Sequence, residues 1–149
     1  MGIGTNDLNI ILNLVNDGKI PKKFALCELG AQQISNNVIT DVDLQGKFEK
    51  IYNIDLKIFE KKLGKVRPGK LVGQLEEISP KAAFSKDMWE YLGVNYTAID
   101  IDKSPHSINI DLNFDDCPRE YVSRFDLVTN LGTTEHVSNH SNAMKVMHD

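Results

Sequence analysis

The stretch KKFALCELGAQQIS, residues 22–35, decides how the chain is interpreted. Its segment FALCEL is short and almost wholly apolar, which is typical of a strand buried on both faces of a parallel sheet. The strand ends near Glu28, and Gly30 is the single glycine of the stretch. A lone glycine after a strand is often a plain turn, but at a ligand site it lets the ligand approach the backbone closely. The endings of the other strands distinguish these two interpretations.

The composition is that of one soluble globular domain. The chain has 149 residues, of which 41% are hydrophobic and 26% charged, a balance unlike that of disordered proteins. The net charge of -4 disfavours nucleic acid and anionic membranes as partners. No apolar run reaches the roughly 20 residues of a membrane helix, and the N-terminus lacks a secretory signal. The two cysteines, Cys27 and Cys117, have no CxxC spacing, so we expect a cytoplasmic protein.

Helices are predicted where apolar residues recur at helical spacing. The first lies within residues 5–21, begins at a cap formed by Thr5 or Asn6, and ends at Gly18. A second is expected directly after FALCEL. The predicted helices that follow the first are AQQISNNVI (31–39), FEKIYNIDLKIFEKKLG (48–64), SPKAAFSKDMWEYLG (79–93, capped by Ser79), CPREYVS (117–123) and SNHSNAMKVMHD (138–149).

Three further strands are predicted, at NYTAIDID (95–102), SINIDLN (107–113) and RFDLVTNLG (124–132). The alternation of strands and helices predicts an α/β fold with a parallel sheet. In such sheets, ligands bind outside the carboxyl ends of the strands. A carboxylate at the end of the second strand can accept hydrogen bonds from both ribose hydroxyls, and a later Asp or Asn can bind the adenine amino group. The strand endings together favour a ligand that contains adenosine.

Four segments carry a resemblance to a known family. ALCELGAQ, YTAIDID, INIDLN and FDLVTNLGTTEHV resemble the successive motifs of class I S-adenosylmethionine-dependent methyltransferases, the last being similar to the fourth-strand segment of bacterial small-molecule enzymes. The resemblance covers residues 24–30 and 95–149. It implies a Rossmann-like sheet, S-adenosyl-L-methionine as cofactor, and methyl transfer to a small-molecule acceptor such as a sugar or another metabolite.

The resemblance also implies a role for each residue in these motifs. The first strand would supply the loop beside the methionine part of the cofactor, the second the ribose ligand, the third the adenine edge, and the fourth the surroundings of the sulfonium and of the acceptor. The residues, in that order, are Glu28, Gly30 and Ala31; Asp100 with Ile101, or alternatively Asp102; Asp111 and Leu112; Asn130, Leu131 and Gly132; and finally Glu135 and His136.

His136 is the candidate general base, because histidine is the side chain that changes charge near neutral pH. Glu135 would orient it or bind the acceptor. A structural role for His136, at the start of a helix, is the competing interpretation. His136 and His140 are four residues apart, but no third ligand has suitable spacing, so we expect no metal site.

The chain also departs from the family's pattern. Gln32 and Ile34 occupy the second and third glycine positions of the first loop, and about 70 residues separate Gly30 from Asp100, where about 20 are usual. We therefore expect an insertion at about 40–69, which includes a basic surface loop at 61–70. Only four of the usual seven strands are predicted, so residues 1–149 would form a single partial domain. In one alternative, another copy of the chain completes this domain in a homo-oligomer.

Two other functions stay open at this point. A methyltransferase-like domain could serve as a non-catalytic binding or interaction module, since its glycine loop is altered. A nicotinamide dehydrogenase of the related dinucleotide-binding type is disfavoured because the phosphate-binding pattern G-x-G-x-x-G is missing.

Overall fold

The computed structural model of the chain describes residues 2–35, 38, 41–55, 71–72, 75–76, 83–102 and 107–149. The secondary-structure elements are, in chain order, β1 (Gly2–Ile3), α1 (Thr5–Asn16), β2 (Ala25–Leu29), β3 (Gln33–Ile34), α2 (Val42–Tyr52), β4 (Leu71–Val72), β5 (Leu75–Glu76), α3 (Ser85–Tyr91), β6 (Asn95–Asp100), β7 (Ile108–Asn109), β8 (Leu127–Asn130), a 3₁₀ helix (Thr134–His136) and α4 (His140–His148).

The centre of the fold is a four-stranded parallel sheet in the order β7-β6-β2-β8. Two smaller pairs accompany it, β1 with β3 in parallel and β4 with β5 in antiparallel orientation. The predicted α/β class, with a Rossmann-like, mostly parallel sheet and flanking helices, is confirmed. The main sheet has the four strands that the sequence predicts.

β2 is buried on both faces because its side chains alternate between two hydrophobic clusters. Leu26 packs in the cluster that contains Trp89 and the buried faces of α1, α2 and α3. Cys27 and Leu29 pack in the other cluster, which contains Val146 of α4. Helices therefore cover both faces of the sheet, and this explains why FALCEL is continuously apolar instead of alternating with polar residues.

α1 forms where it is predicted, but its cap is different. The residue before the helix is Gly4, and its backbone N–H donates to Oδ2 of Asp7 at 2.9 Å. The prediction that Thr5 or Asn6 caps the helix is therefore wrong. Gly18 follows the end of the helix with a φ of +69°, a conformation that glycine adopts without steric cost.

The helix predicted at 31–39 is wrong at its start, where the chain forms β3. This short strand pairs with β1 on one side, and Gln33 makes an antiparallel bridge to Phe84 on the other. The Ile34 N–H donates to the Ala83 carbonyl at 2.9 Å. Partners from distant parts of the chain thus satisfy the backbone in an extended conformation. Residues 36–37 and 39–40 lie outside the described residues.

The helix predicted at 48–64 lies closer to the N-terminus than expected. α2 begins after Asp41, whose carboxylate accepts a hydrogen bond from the Leu44 N–H at 2.8 Å. It ends at Tyr52, because Asn53 takes the left-handed conformation with a φ of 57°. Residues 53–55 are not helical, so the predicted helix is wrong there. Its last residues, 56–64, and the basic loop at 61–70 fall outside the described residues.

The helix predicted at 79–93 is shorter at its N-terminal end. α3 begins at Ser85, whose backbone N–H donates to the Gln32 carbonyl at 2.8 Å, because the residue before it is bridged to β3. The predicted cap, Ser79, lies outside the described residues. Gly93, with a φ of +78°, ends the helical region as predicted.

The segment between β6 and β8 contains less regular structure than predicted. β7 ends at Asn109, so the strand predicted at 107–113 is shorter than expected. Its last residues form a turn in which the Asp111 carboxylate accepts a hydrogen bond from the Asn113 N–H at 2.9 Å. Residues 117–123 form turns and not the predicted helix, and Ser123 is left-handed with a φ of 53°. Side-chain to backbone hydrogen bonds of this kind compete with regular structure.

Candidate functional site

A cleft of about 430 Å³ lies at the carboxyl ends of the four parallel strands. Because β2 has β6 on one side and β8 on the other, the order of the strands reverses at β2. This reversal is where ligands bind in open α/β sheets. Most residues that line the cleft lie at the end of a strand or in the segment that follows it, and Phe84, before α3, adds to them. The lining residues are Gly30–Gln33, Phe84, Ile99–Asp102, Ile110–Asn113, and Gly132, Thr133, His136 and Val137.

Gly30 turns the chain at the end of β2 in a way that requires glycine. Its φ is +80°, and its backbone N–H donates to the Ile99 carbonyl at 2.7 Å. A Cβ atom on Gly30 would overlap Oγ1 of Thr133, whose hydroxyl donates to the Leu29 carbonyl. The loops after β2 and β8 therefore meet at Gly30, and no side chain fits between them.

Asp100 connects the loop after β2 to the carboxyl end of β6. Its Oδ2 accepts from the Ala31 N–H at 3.1 Å, and its Oδ1 is 3.4 Å from the Asp102 N–H. Asp100 is partly exposed and lines the cleft, as does Ile101, which is 63% exposed. Asp102, the alternative ribose ligand, lines the same wall.

Glu28 is not among the residues that line the cleft. Its side chain is 0% exposed and lies on the face of β2 that packs against α3. Its carboxylate accepts from Ser85 Oγ at 2.6 Å, from Tyr96 OH at 2.7 Å and from Trp89 Nε1 at 3.3 Å. These contacts place Glu28 beneath the loop, not beside a ligand.

Burial raises the pKa of the Glu28 carboxyl above its ordinary value, although its hydrogen bonds oppose the rise. The backbone of Gln32 is among the groups that oppose the rise, so the Glu28 carboxylate lies close beneath this loop. Burial and the neighbouring Glu28 charge also raise the pKa of Tyr96. In the other cluster, burial raises the pKa of the Cys27 thiol to about 12.

The loop after β7 brings Asp111 and Leu112 to the cleft, together with Asn113. Oδ1 of Asn113 accepts from the backbone N–H groups of Ser138 and Asn139 at 2.9 and 3.0 Å. This side chain joins the loop to the start of α4. Asp111 and Asn113 are thereby held in fixed positions at the rim.

The loop after β8 separates the three residues predicted near the sulfonium. Gly132 lines the cleft with a φ of +91°. Leu131 is partly buried against the core. Oδ1 of Asn130 accepts from the N–H groups of Thr133 and Thr134, both at 3.2 Å, and its Nδ2 donates to Oγ1 of Thr134. Asn130 and Leu131 shape the loop, and neither belongs to the lining.

Glu135 and His136 lie in the 3₁₀ helix that follows. Nε2 of His136 is 3.4 Å from Oε1 of Glu135, and the two side chains are 72% and 60% exposed. His136 lines the cleft, whereas Glu135 does not. The histidine can therefore reach both solvent and a molecule bound in the cleft.

Seven further residues contribute to the cleft that the sequence does not single out: Gln33, Phe84, Ile99, Ile110, Asn113, Thr133 and Val137. Nothing in the sequence around Phe84 predicts that it lies at the cleft, because its position depends on the bridge to Gln33. Thr133 and Val137 lie inside the FDLVTNLGTTEHV segment. Their position in the loop after the fourth strand could therefore have predicted that they line the cleft.

Acidic side chains predominate among the titratable groups of the described residues that line the cleft. Within the described part of the chain, the lining contains Asp100, Asp102, Asp111 and His136, but no Lys or Arg. The same residues include no cluster of three or more His, Cys, Asp or Glu that could hold a metal ion. The described helices also include none long and apolar enough to cross a bilayer.

Comparison with known proteins gives no relative: no family model, no curated protein and no solved structure matches the chain.

Proposed function

We propose that the protein is an S-adenosylmethionine-dependent methyltransferase that acts on a small-molecule acceptor, such as a sugar or another metabolite. The observation that carries the proposal is the position of Asp100: a carboxylate at the carboxyl end of β6, bonded to the loop that follows the central strand and facing the cleft. A carboxylate in this position suits the two hydroxyls of a ribose.

The charge of the cleft supports a cationic ligand over a dinucleotide. Asp100, Asp102 and Asp111 would repel a pyrophosphate and attract a sulfonium. A pyrophosphate is usually held by the N-terminus of the helix that follows the first strand. Here the chain after β2 continues as β3, so no helix begins at this loop within the described residues.

The other lining residues fit an adenosyl group. Ile101 offers an exposed apolar surface for the adenine ring, while Asp111 and Leu112 lie at the next strand ending. Gly132, on the opposite side of β2, leaves room where the methyl group would be transferred. Glu28 supports the proposal only indirectly, because it holds the Gln32 backbone.

When bound, S-adenosylmethionine would supply an electrophilic methyl group, with a neutral thioether as the leaving group, and Asp100 would hold its ribose. His136 takes the proton that the acceptor's oxygen, nitrogen or carbon loses on methylation. Glu135, whose carboxylate is 3.4 Å from the imidazole, stabilises the imidazolium that forms. Positioning in the cleft provides the remainder of the catalysis.

The test is calorimetric titration of the chain with S-adenosylhomocysteine and, separately, with NAD⁺. We expect saturable binding of S-adenosylhomocysteine and none of NAD⁺. Binding of NAD⁺ alone would contradict the proposal and favour the dehydrogenase. Binding of S-adenosylmethionine without methyl transfer to any acceptor in a metabolite panel would favour the non-catalytic binding module.

The compartment belongs to the same proposal. Cys27 and Cys117 are both free thiols, which agrees with a reducing compartment such as the cytoplasm.

A further inference from the structure

Gln32 occupies a position where the methyltransferase family that the chain resembles has a glycine. Its side chain is part of the lining of the cleft. It is only 4% exposed. Nε2 donates to the carbonyl oxygens of Leu29 and Gly30 at 3.4 and 3.3 Å. These distances are long for hydrogen bonds, so the amide is held weakly.

The amide oxygen of Gln32 has no hydrogen-bond partner among the residues that the structure describes. Oε1 is buried, and no donor in the described part of the chain reaches it. A buried acceptor without a donor is rare in folded proteins and is unfavourable. Because Gln32 lines the cleft, a ligand that enters the cleft can bring the missing donor.

The surroundings of Gln32 favour a cationic donor over an anion. The Ala31 N–H, a backbone donor of this loop, is already engaged by Oδ2 of Asp100 at 3.1 Å. Asp100 and Asp102 line the same cleft as Gln32. A positively charged donor suits an unpartnered amide oxygen beside these carboxylates.

We propose that Gln32 is a specificity-determining residue that recognises the ammonium group at the amino-acid end of S-adenosylmethionine. This inference rests on the proposed function. The amino-acid end carries one ammonium and one carboxylate, and only the ammonium donates hydrogen bonds. Oε1 of Gln32 accepts one of its three N–H groups after a rotation of the amide, and the neighbouring acidic residues favour the positive charge.

The test compares S-adenosylhomocysteine with its desamino analogue, in which hydrogen replaces the ammonium. In calorimetric titrations of the unaltered chain, we expect the analogue to bind at least about tenfold more weakly. In Gln32→Met, which keeps the length of the side chain but removes the acceptor, this preference should fall below about threefold. Gln45→Met, the same change in α2 at a residue outside the cleft lining, is the matched control and should keep the preference.

The outcomes separate this inference from the proposed function. If the unaltered chain binds both ligands equally well, the role of Gln32 is contradicted while the methyltransferase proposal stands. If Gln32→Met keeps the full preference, the inference is again overturned. If the unaltered chain binds neither ligand, both proposals fail. The comparison on the unaltered chain needs no variant, so the inference can be refuted even if Gln32→Met does not fold.

Discussion

The Ala31 backbone N–H donates a hydrogen bond of 3.1 Å to Oδ2 of Asp100, which joins the loop after the central strand to the carboxyl end of its neighbour. These residues are 69 positions apart in the chain. The bond fixes the carboxylate at the cleft before any ligand is present, so the side chain loses little conformational entropy when it binds one. The central claim, that Asp100 holds a ribose, depends on this geometry.

Replacing Gly30 by alanine should destabilise the fold. The added Cβ would overlap Oγ1 of Thr133, and a φ of +80° is unfavourable for residues other than glycine. We expect a loss of about 2–4 kcal/mol in the free energy of unfolding, measured by urea denaturation.

Gly46→Ala is the matched control for Gly30→Ala. Gly46 lies inside α2 with nothing within 4 Å of an added Cβ, so alanine should stabilise the protein by about 0.5–1 kcal/mol. Equal effects at the two glycines would contradict the packing of Thr133 against Gly30.

Glu28 should make stability depend on pH. Its pKa is raised in the folded state from an ordinary value of 4.5, so the folded protein keeps the proton longer than the unfolded chain. As pH rises above about 4.5, the unfolded chain ionises first and stability falls, by at most about 1.4 kcal/mol per pH unit. The fall ends once the pH exceeds the raised pKa.

The measurement is urea denaturation of the unaltered chain and of Glu28→Gln across a pH series. Glutamine does not ionise, so the stability of the unaltered chain should fall relative to Glu28→Gln as the pH rises through this window. Glu49→Gln, a change on the exposed face of α2, should leave the pH profile unchanged. A difference between the chain and Glu28→Gln that does not vary with pH would refute the assignment.

Asn130 should stabilise the loop after β8 through its amide oxygen. Asn130→Ala removes the acceptor for the N–H groups of Thr133 and Thr134, and we expect a loss of about 1–2 kcal/mol in the free energy of unfolding. Asn130→Asp keeps that acceptor and should lose less. The measurement is thermal denaturation of the two variants. An equal loss of stability in Asn130→Asp and Asn130→Ala would contradict this role of the amide oxygen.

The sequence predicts the sheet better than its surroundings. FALCEL and NYTAIDID form neighbouring central strands because they are apolar on both faces, a property visible in the residues themselves. β3 was predicted as helix because its extended form depends on β1 and Phe84, which are far away in the chain. Pairing of this kind overrides local helix propensity.

The cleft was predicted in part for the same reason. Gly30, Asp100 and Asp111 follow directly from strand endings, and all three line the cleft. Glu28 also belongs to a strand ending, but it shares the face of Leu26 and points into the core. The side chain of Gln32, predicted only as a departure from a glycine pattern, is accommodated because it is buried against its own loop.

The most direct test is calorimetric titration of S-adenosylhomocysteine into the chain and into Asp100→Asn. The account predicts one saturable site in the unaltered chain and at least about tenfold weaker binding in Asp100→Asn, because the amide has one acceptor oxygen for two ribose hydroxyls. Asp17→Asn, at an exposed position after α1, should bind like the unaltered chain. No binding by the unaltered chain, or equal binding by Asp100→Asn, would contradict the account.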